Sequence, residues 1–154
     1  MELKEKWVWI TGASSGIGRS IALEFSYHNS NLVLLSRNKE ELKKTASSCN
    51  PASKIVIQEI DLADNKSIER AVDALKEQSI PIDILVNNGG ISQRALAVDT
   101  MDEVSRRIFD VNFFGTIHLT RALLPTMIAQ GGAHIAVVTS LVGIIGSPKR
   151  TSYS

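Results

Sequence analysis

Several kinds of chemistry are missing from this chain. It has one cysteine, Cys49, among 154 residues, so no internal disulfide can form, and that usage fits a reducing compartment. Its three histidines, His28, His118 and His134, share no metal-ligand spacing with one another or with the cysteine, which argues against a metal centre. Net charge is only +1, too little of either sign for nucleic acid to be the main partner. No apolar run approaches membrane-spanning length, and there is no internal repeat or low-complexity stretch. The residues from Met1 to Lys6 are mostly charged and run straight into an apolar segment, so neither a signal peptide nor a membrane anchor is expected. These absences predict a cytoplasmic protein without membrane, nucleic-acid or metal partners. With 44% hydrophobic residues, there is enough apolar content for one domain over residues 1–154.

What the chain does have is three glycines in eight residues, Thr11-Gly12-Ala13-Ser14-Ser15-Gly16-Ile17-Gly18. The preceding Trp7-Val8-Trp9-Ile10 is an unbroken apolar run, suited to a strand buried on both faces of a parallel sheet. Immediately after it, Ile17, Ile21, Ala22 and Phe25 fall on one helical stripe. Between the two, Gly12 permits a tight turn, Gly16 lets backbone approach a ligand, and Gly18 allows helix and strand to pack closely. The first N–H groups of such a helix are free for phosphate oxygens. A glycine-rich turn that binds nothing is the plainer alternative. The spacing is G-x-x-x-G-x-G, not the commoner G-x-G-x-x-G.

Four more strand-length apolar runs follow: 32–35, 55–57, 82–86 and 135–138. Leu42 and Ala46 mark a short helix. Ile68, Ala71, Val72 and Leu75 mark a second, with Asp64 as its cap, and a third spans about Met101 to Gln130. Alternating strands and helices imply right-handed crossovers and a parallel sheet. The expected class is α/β, doubly wound and Rossmann-like, with strand order 3-2-1-4-5 and ligands at the carboxyl ends of the strands. Pro125 should bend or interrupt the long helix, and Gly131-Gly132 should end it.

The carboxyl end of each strand carries polar residues. Ser36-Arg37 follows strand two, where an NAD-binding protein would place Asp or Glu on the ribose hydroxyls. An arginine there favours a 2′-phosphate, because a guanidinium is always charged and matches phosphate geometry bidentately. NADP(H) is therefore the expected cofactor and NAD(H) the less favoured one; a solvated surface arginine is the alternative. Asp61-Leu62 closes strand three, Asn87-Asn88-Gly89-Gly90 closes strand four, and Asn112 lies mid-helix.

In these residues the chain resembles the short-chain dehydrogenase/reductase family, from about residue 5 to its last residue. The markers are T-G-x-x-x-G-x-G at 11–18, Asp61, N-N-G-G at 87–90, Asn112, Ser140 and Tyr153. The family usually has N-N-A-G at the third, and Gly90 should be a harmless replacement. Gly90 to Arg94 is similar to a subgroup of NADP(H)-dependent carbonyl reductases acting on apolar ketones. The resemblance implies a cofactor site of Gly12, Ser14, Ser15, Gly16, Ile17, Gly18, Arg37, Asp61, Leu62, Asn88, Gly89 and Tyr153. Within it Arg37 would read the 2′-phosphate, Asp61 and Leu62 would meet the adenine, and Asn88 would support the ribose. It also implies Asn112, Ser140 and Tyr153 as catalytic residues, with Asn112 holding a water in a proton relay. As hydride moves to a carbonyl carbon, negative charge builds on oxygen, which a hydroxyl donor stabilises and a phenol protonates. A small apolar carbonyl or alcohol substrate, suggested by apolar residues 141–145, and a homo-oligomer complete the expectation.

The chain departs from the family at its end. A phenol titrating near 10 needs about 4 kcal/mol of phenolate stabilisation to act near neutral pH, and the family supplies it with a lysine one helical turn after the tyrosine, past Ser154. Lys149 stands the same distance before Tyr153, but Pro148 argues against a helix there. The 154 residues are thus expected to be the N-terminal part of a longer enzyme, ending just after the tyrosine and inactive alone. A non-catalytic NADP(H)-binding module is the competing reading. A sugar-nucleotide epimerase, which shares fold and tyrosine, ranks below both because its glycine loop is usually spaced differently.

Overall fold

A continuous apolar run suits a strand whose two faces are both covered, with alternate residues serving two separate cores. In the computed structural model, which describes residues 2–153, five parallel strands do this to different degrees. They are β1 (Trp7–Thr11), β2 (Asn31–Ser36), β3 (Ile55–Glu59), β4 (Ile84–Asn87) and β5 (His134–Val137), in the order β3-β2-β1-β4-β5. That is the expected doubly wound order. Trp9, Val33 and Leu85 point to one face, against Ile68, Leu75 and Leu123. Val8, Ile10 and Leu34 point to the other, against Ala22 and Leu42.

The crossovers are α1 (Gly16–Tyr27), α2 (Lys39–Ser48), α3 (Asn65–Glu77), and a long helical element made of α4 (Asp102–Phe109) and α5 (Thr116–Ala129). The stripe read for α3 is buried at all four positions, Ile68, Ala71, Val72 and Leu75, and the Asp64 carboxylate accepts the Lys66 N–H as its cap. In α1 the buried line is Gly18, Ala22 and Ser26. Ile17, on the stripe read for this helix, is 63% exposed, because it faces the open cleft at the carboxyl ends of the strands.

The long element differs from its expected form. Pro125 lies inside α5 without ending it; Leu119, Leu123 and Met127 are buried around that position and hold the helix to the core. The irregularity comes earlier, where Asp110–Gly115 form a π-helical turn between α4 and α5. Gly115 explains its position: a Cβ there would sit 2.0 Å from the Leu62 carbonyl oxygen, so only glycine lets the helix pass that close. Gly131 and Gly132 end the element as expected, with φ of +95° and +118°. β4 starts at Ile84, not at Ile82, because the Asp83 carboxylate takes the Trp7 N–H and the Lys6 ammonium, each at 2.8 Å.

Candidate active site

The glycine loop has the geometry of a cradle. Gly12, at φ +67°, turns the chain, and a Cβ there would meet Asn88 Nδ2 and the Gly89 Cα at 2.9 Å. Gly18 has no room for a Cβ either: the Gly12 carbonyl oxygen would be 2.3 Å away. Gly16, at φ +51°, faces open space, as a position reserved for a ligand would. Behind the loop, the Arg19 guanidinium donates to the Ser14 carbonyl and to Glu41, and Thr45 Oγ1 donates to the Ala13 carbonyl at 3.0 Å. The loop's carbonyls are thus held at its back. At the front, the N-terminus of α1 has no side-chain cap and no acidic residue in its first turn. The first turns of α2 and α3 are capped by Asn38 and Asp64. An uncapped helix start with its positive dipole end exposed fits a phosphate.

Gly12, Ser14, Gly16, Arg37, Asp61 and Leu62 line one cleft of about 360 Å³, with Ser15, Asn88 and Gly89 also on its wall. Asn88 is positioned by β1: its N–H goes to Thr11 Oγ1 at 2.9 Å and its side-chain amide donates to the Thr11 carbonyl at 3.0 Å. Thr11 Oγ1 also accepts the Gly89 N–H at 2.8 Å, so one buried hydroxyl fixes both sides of the crevice. Arg37 is exposed, beside a recess that it shares with Ser14, Ser36, Asn38, Lys39 and Glu40, the Glu40 carboxylate accepting from the Lys43 ammonium at 2.8 Å. Asp61 accepts from Ala63 N–H at 2.9 Å and from Arg107 Nη2 at 3.1 Å. Partial burial works to raise its carboxyl, but the Ala63 N–H, the Arg107 guanidinium and the charge of Arg37 together hold it below the ordinary carboxylate range.

A second cleft of about 400 Å³ adjoins the first, and Asn112, Ser140 and Tyr153 all line it. Ile17, Gly89 and Ile91 belong to both. Asn112 sits in the π-helical turn with its amide doubly engaged: Oδ1 accepts the Ile91 N–H and Nδ2 donates to the Ile91 carbonyl, each at 2.8 Å. Ser140 Oγ accepts the Val142 N–H at 3.2 Å, which leaves its own proton free to donate. Tyr153 lies in a turn, its N–H bonded to the Arg150 carbonyl at 2.9 Å, with the Arg150 guanidinium 5.9 Å from its ring centre. Lys149 has φ +64°, so no helical turn joins it to Tyr153.

Several participants escaped the sequence reading. Arg19, Thr45 and Arg107 carry no motif, and each acts on a residue brought near only by the fold. Thr11 and Ser36 stand inside segments that were singled out, the glycine octapeptide and the Ser36-Arg37 pair, but neither was given a role of its own.

The pattern of residues and clefts has relatives. A family model for short chain dehydrogenase matches residues 6–154. The chain belongs to the short-chain dehydrogenase/reductase family. Its sequence is 41% identical over 157 residues to human "Dehydrogenase/reductase SDR family member 7", covering 99% of this chain and 46% of that protein. It is 38% identical over 154 residues to the Xenopus laevis "Dehydrogenase/reductase SDR family member 7B", covering 96% and 48%. The chain thus spans about half the length of the curated relatives it matches. Among solved structures, an NAD+-bound xylitol dehydrogenase superposes with a TM-score of 0.92 at 26% identity, over 99% of this chain and 60% of that one. A family member from Burkholderia phymatum in complex with NAD gives 0.91 at 26%, over 99% and 55%.

Proposed function

We propose that this family member works as an NADP(H)-dependent oxidoreductase that interconverts a carbonyl and an alcohol on an apolar substrate. The observation that carries the reading is the junction of the two clefts. Asn112, Ser140 and Tyr153 line one, the glycine loop lines the other, and Ile17, Gly89 and Ile91 are common to both. A dinucleotide lying along the rim would have its phosphates on the α1 N-terminus and its nicotinamide at that junction.

The residues present fit such a cofactor. Gly12 and Gly16 give the backbone conformations and the open approach a pyrophosphate needs. Arg37, with Ser14, Ser36 and Lys39 beside it, supports a 2′-phosphorylated ribose over a plain one. Held by these residues, a nicotinamide would supply the hydride for a carbonyl carbon or accept one from an alcohol carbon. Tyr153 Oη then donates a proton to the substrate oxygen, and takes it back in the reverse direction. Ser140 Oγ, its lone pair held by Val142 N–H, turns its proton to the same oxygen. The Asn112 side chain clamps the Ile91 loop, leaving the main chain of the π-helical turn as the group that can hold a relay water. Leu141, Ile144 and Ile145 are exposed beside Ser140 and support an apolar substrate.

The test is NADPH-dependent reduction of a panel of apolar ketones. Turnover is expected, with Tyr153→Phe lowering it at least about a hundredfold. A second reading, a cofactor-binding module without catalysis, draws support from the exposed β5. NADPH binding with no turnover on any ketone of the panel would select it.

A further inference from the structure

The cofactor cleft is lined by one basic and one acidic side chain, Arg37 and Asp61, whose charges cancel. A 2′-phosphate carries close to two negative charges, and an uncompensated carboxylate in the same crevice would oppose it. Asp61 is held there by backbone: it accepts the Ala63 N–H, and its own N–H is bonded to Ser67 Oγ at 3.0 Å. Arg107 does not line the cleft. It reaches in from α4, and its Nη2 donates to both Asp61 oxygens, at 3.1 and 3.4 Å. The pair is 42% and 33% exposed, so its value to folding alone is small. Its effect on the charge of the crevice is larger, because clefts focus fields that open surfaces screen.

We infer that Arg107 is a specificity-determining residue for 2′-phosphorylated dinucleotides: by neutralising Asp61 it lets Arg37 present its full charge to the phosphate. The inference rests on the NADP(H) reading above. It assigns a task in cofactor choice to a residue that the cofactor need not touch.

Calorimetric titration of the full chain with adenosine 2′,5′-bisphosphate and with 5′-AMP separates the possibilities without any turnover. Arg107→Gln is expected to weaken the bisphosphate roughly fivefold and AMP less than about twofold. Arg107→Lys should retain most of the preference, and the uncharged pair Asp61→Asn with Arg107→Gln should restore it. If Arg107→Gln fails to fold by circular dichroism, the double variant and Arg107→Lys carry the test. Suppose the wild type prefers the bisphosphate and Arg37→Gln abolishes that preference. Equal weakening of both probes by Arg107→Gln, or a double variant that does not recover, then overturns the inference alone. A wild type with no preference for the bisphosphate overturns the cofactor reading and the inference together.

Discussion

On one side of β4 lies β1, whose Trp9 is 1% exposed opposite Leu85; on the other lies β5, whose Ile135 is 45% exposed opposite the same Leu85. The two flanking strands are both short, apolar and parallel to β4. β1 is covered by α1 on one face and by the α3 and α5 core on the other. All four residues of β5 are exposed. Apolar character therefore selects a strand and its register, while burial depends on what other elements bring over it. The same division runs through the site. The glycine cleft is braced from behind by Arg19, Thr45 and Thr11, whereas Ser140 and Tyr153 are carried on the exposed side, past β5.

The contrast can be broken by truncating neighbours in one row. Leu85→Ala should cost about 3 kcal/mol, since it empties a fully buried site. Ile135→Ala, half-exposed in the adjacent strand, should cost about 1 kcal/mol. Urea unfolding of both variants checks this, and equal losses would mean that β5 is as enclosed as β4.

A sharper version uses glycines. Gly115→Ala drives a methyl group into the Leu62 carbonyl and should cost about 3 kcal/mol by the same measurement. Gly90→Ala brings a methyl group to 3.3 Å from Asn112 Oδ1 and no nearer than 3.7 Å to anything else, on the rim shared by the two clefts. It should change stability by less than about 0.5 kcal/mol.

The smallest effect is electrostatic. The Asp61 carboxyl is held below its ordinary value in the folded protein. Its contribution is therefore fully present above the unfolded carboxylate value, about pH 4, and is lost as pH falls from there through the folded value. Asp61→Asn should remove that part of the acid dependence, about 0.5 kcal/mol given the exposure of the pair. Stability curves of wild type and variant that differ by a constant across this window would count against it.

Much of this was readable from residue order. The five apolar runs became the five strands, Gly12 makes the expected tight turn at φ +67°, and Gly18 leaves no room for a Cβ where helix and strand pack. The π-helical turn was not readable, because its backbone shift leaves the apolar spacing around Asn112 close to helical. Nor was the Asp61–Arg107 pair, whose members are 46 residues apart and adjacent only once α4 crosses the rim. Ile17 was read both as part of a helical stripe and as a cofactor contact, and the structure keeps it 63% exposed on the walls of both clefts. Pro125 was expected to bend or interrupt the long helix, and α5 runs through it without interruption.

On the proposed reading the two adjoining clefts serve one reaction, with cofactor binding on the braced side and proton transfer on the exposed side. That reading is tested most directly by measuring, for Tyr153→Phe, both the single-turnover rate of NADPH oxidation by an apolar ketone and the Kd for NADPH. The account predicts a rate at least about a hundredfold lower and a Kd changed by less than about threefold. A rate that survives the substitution, or a loss of rate matched by an equal loss of NADPH affinity, would contradict it.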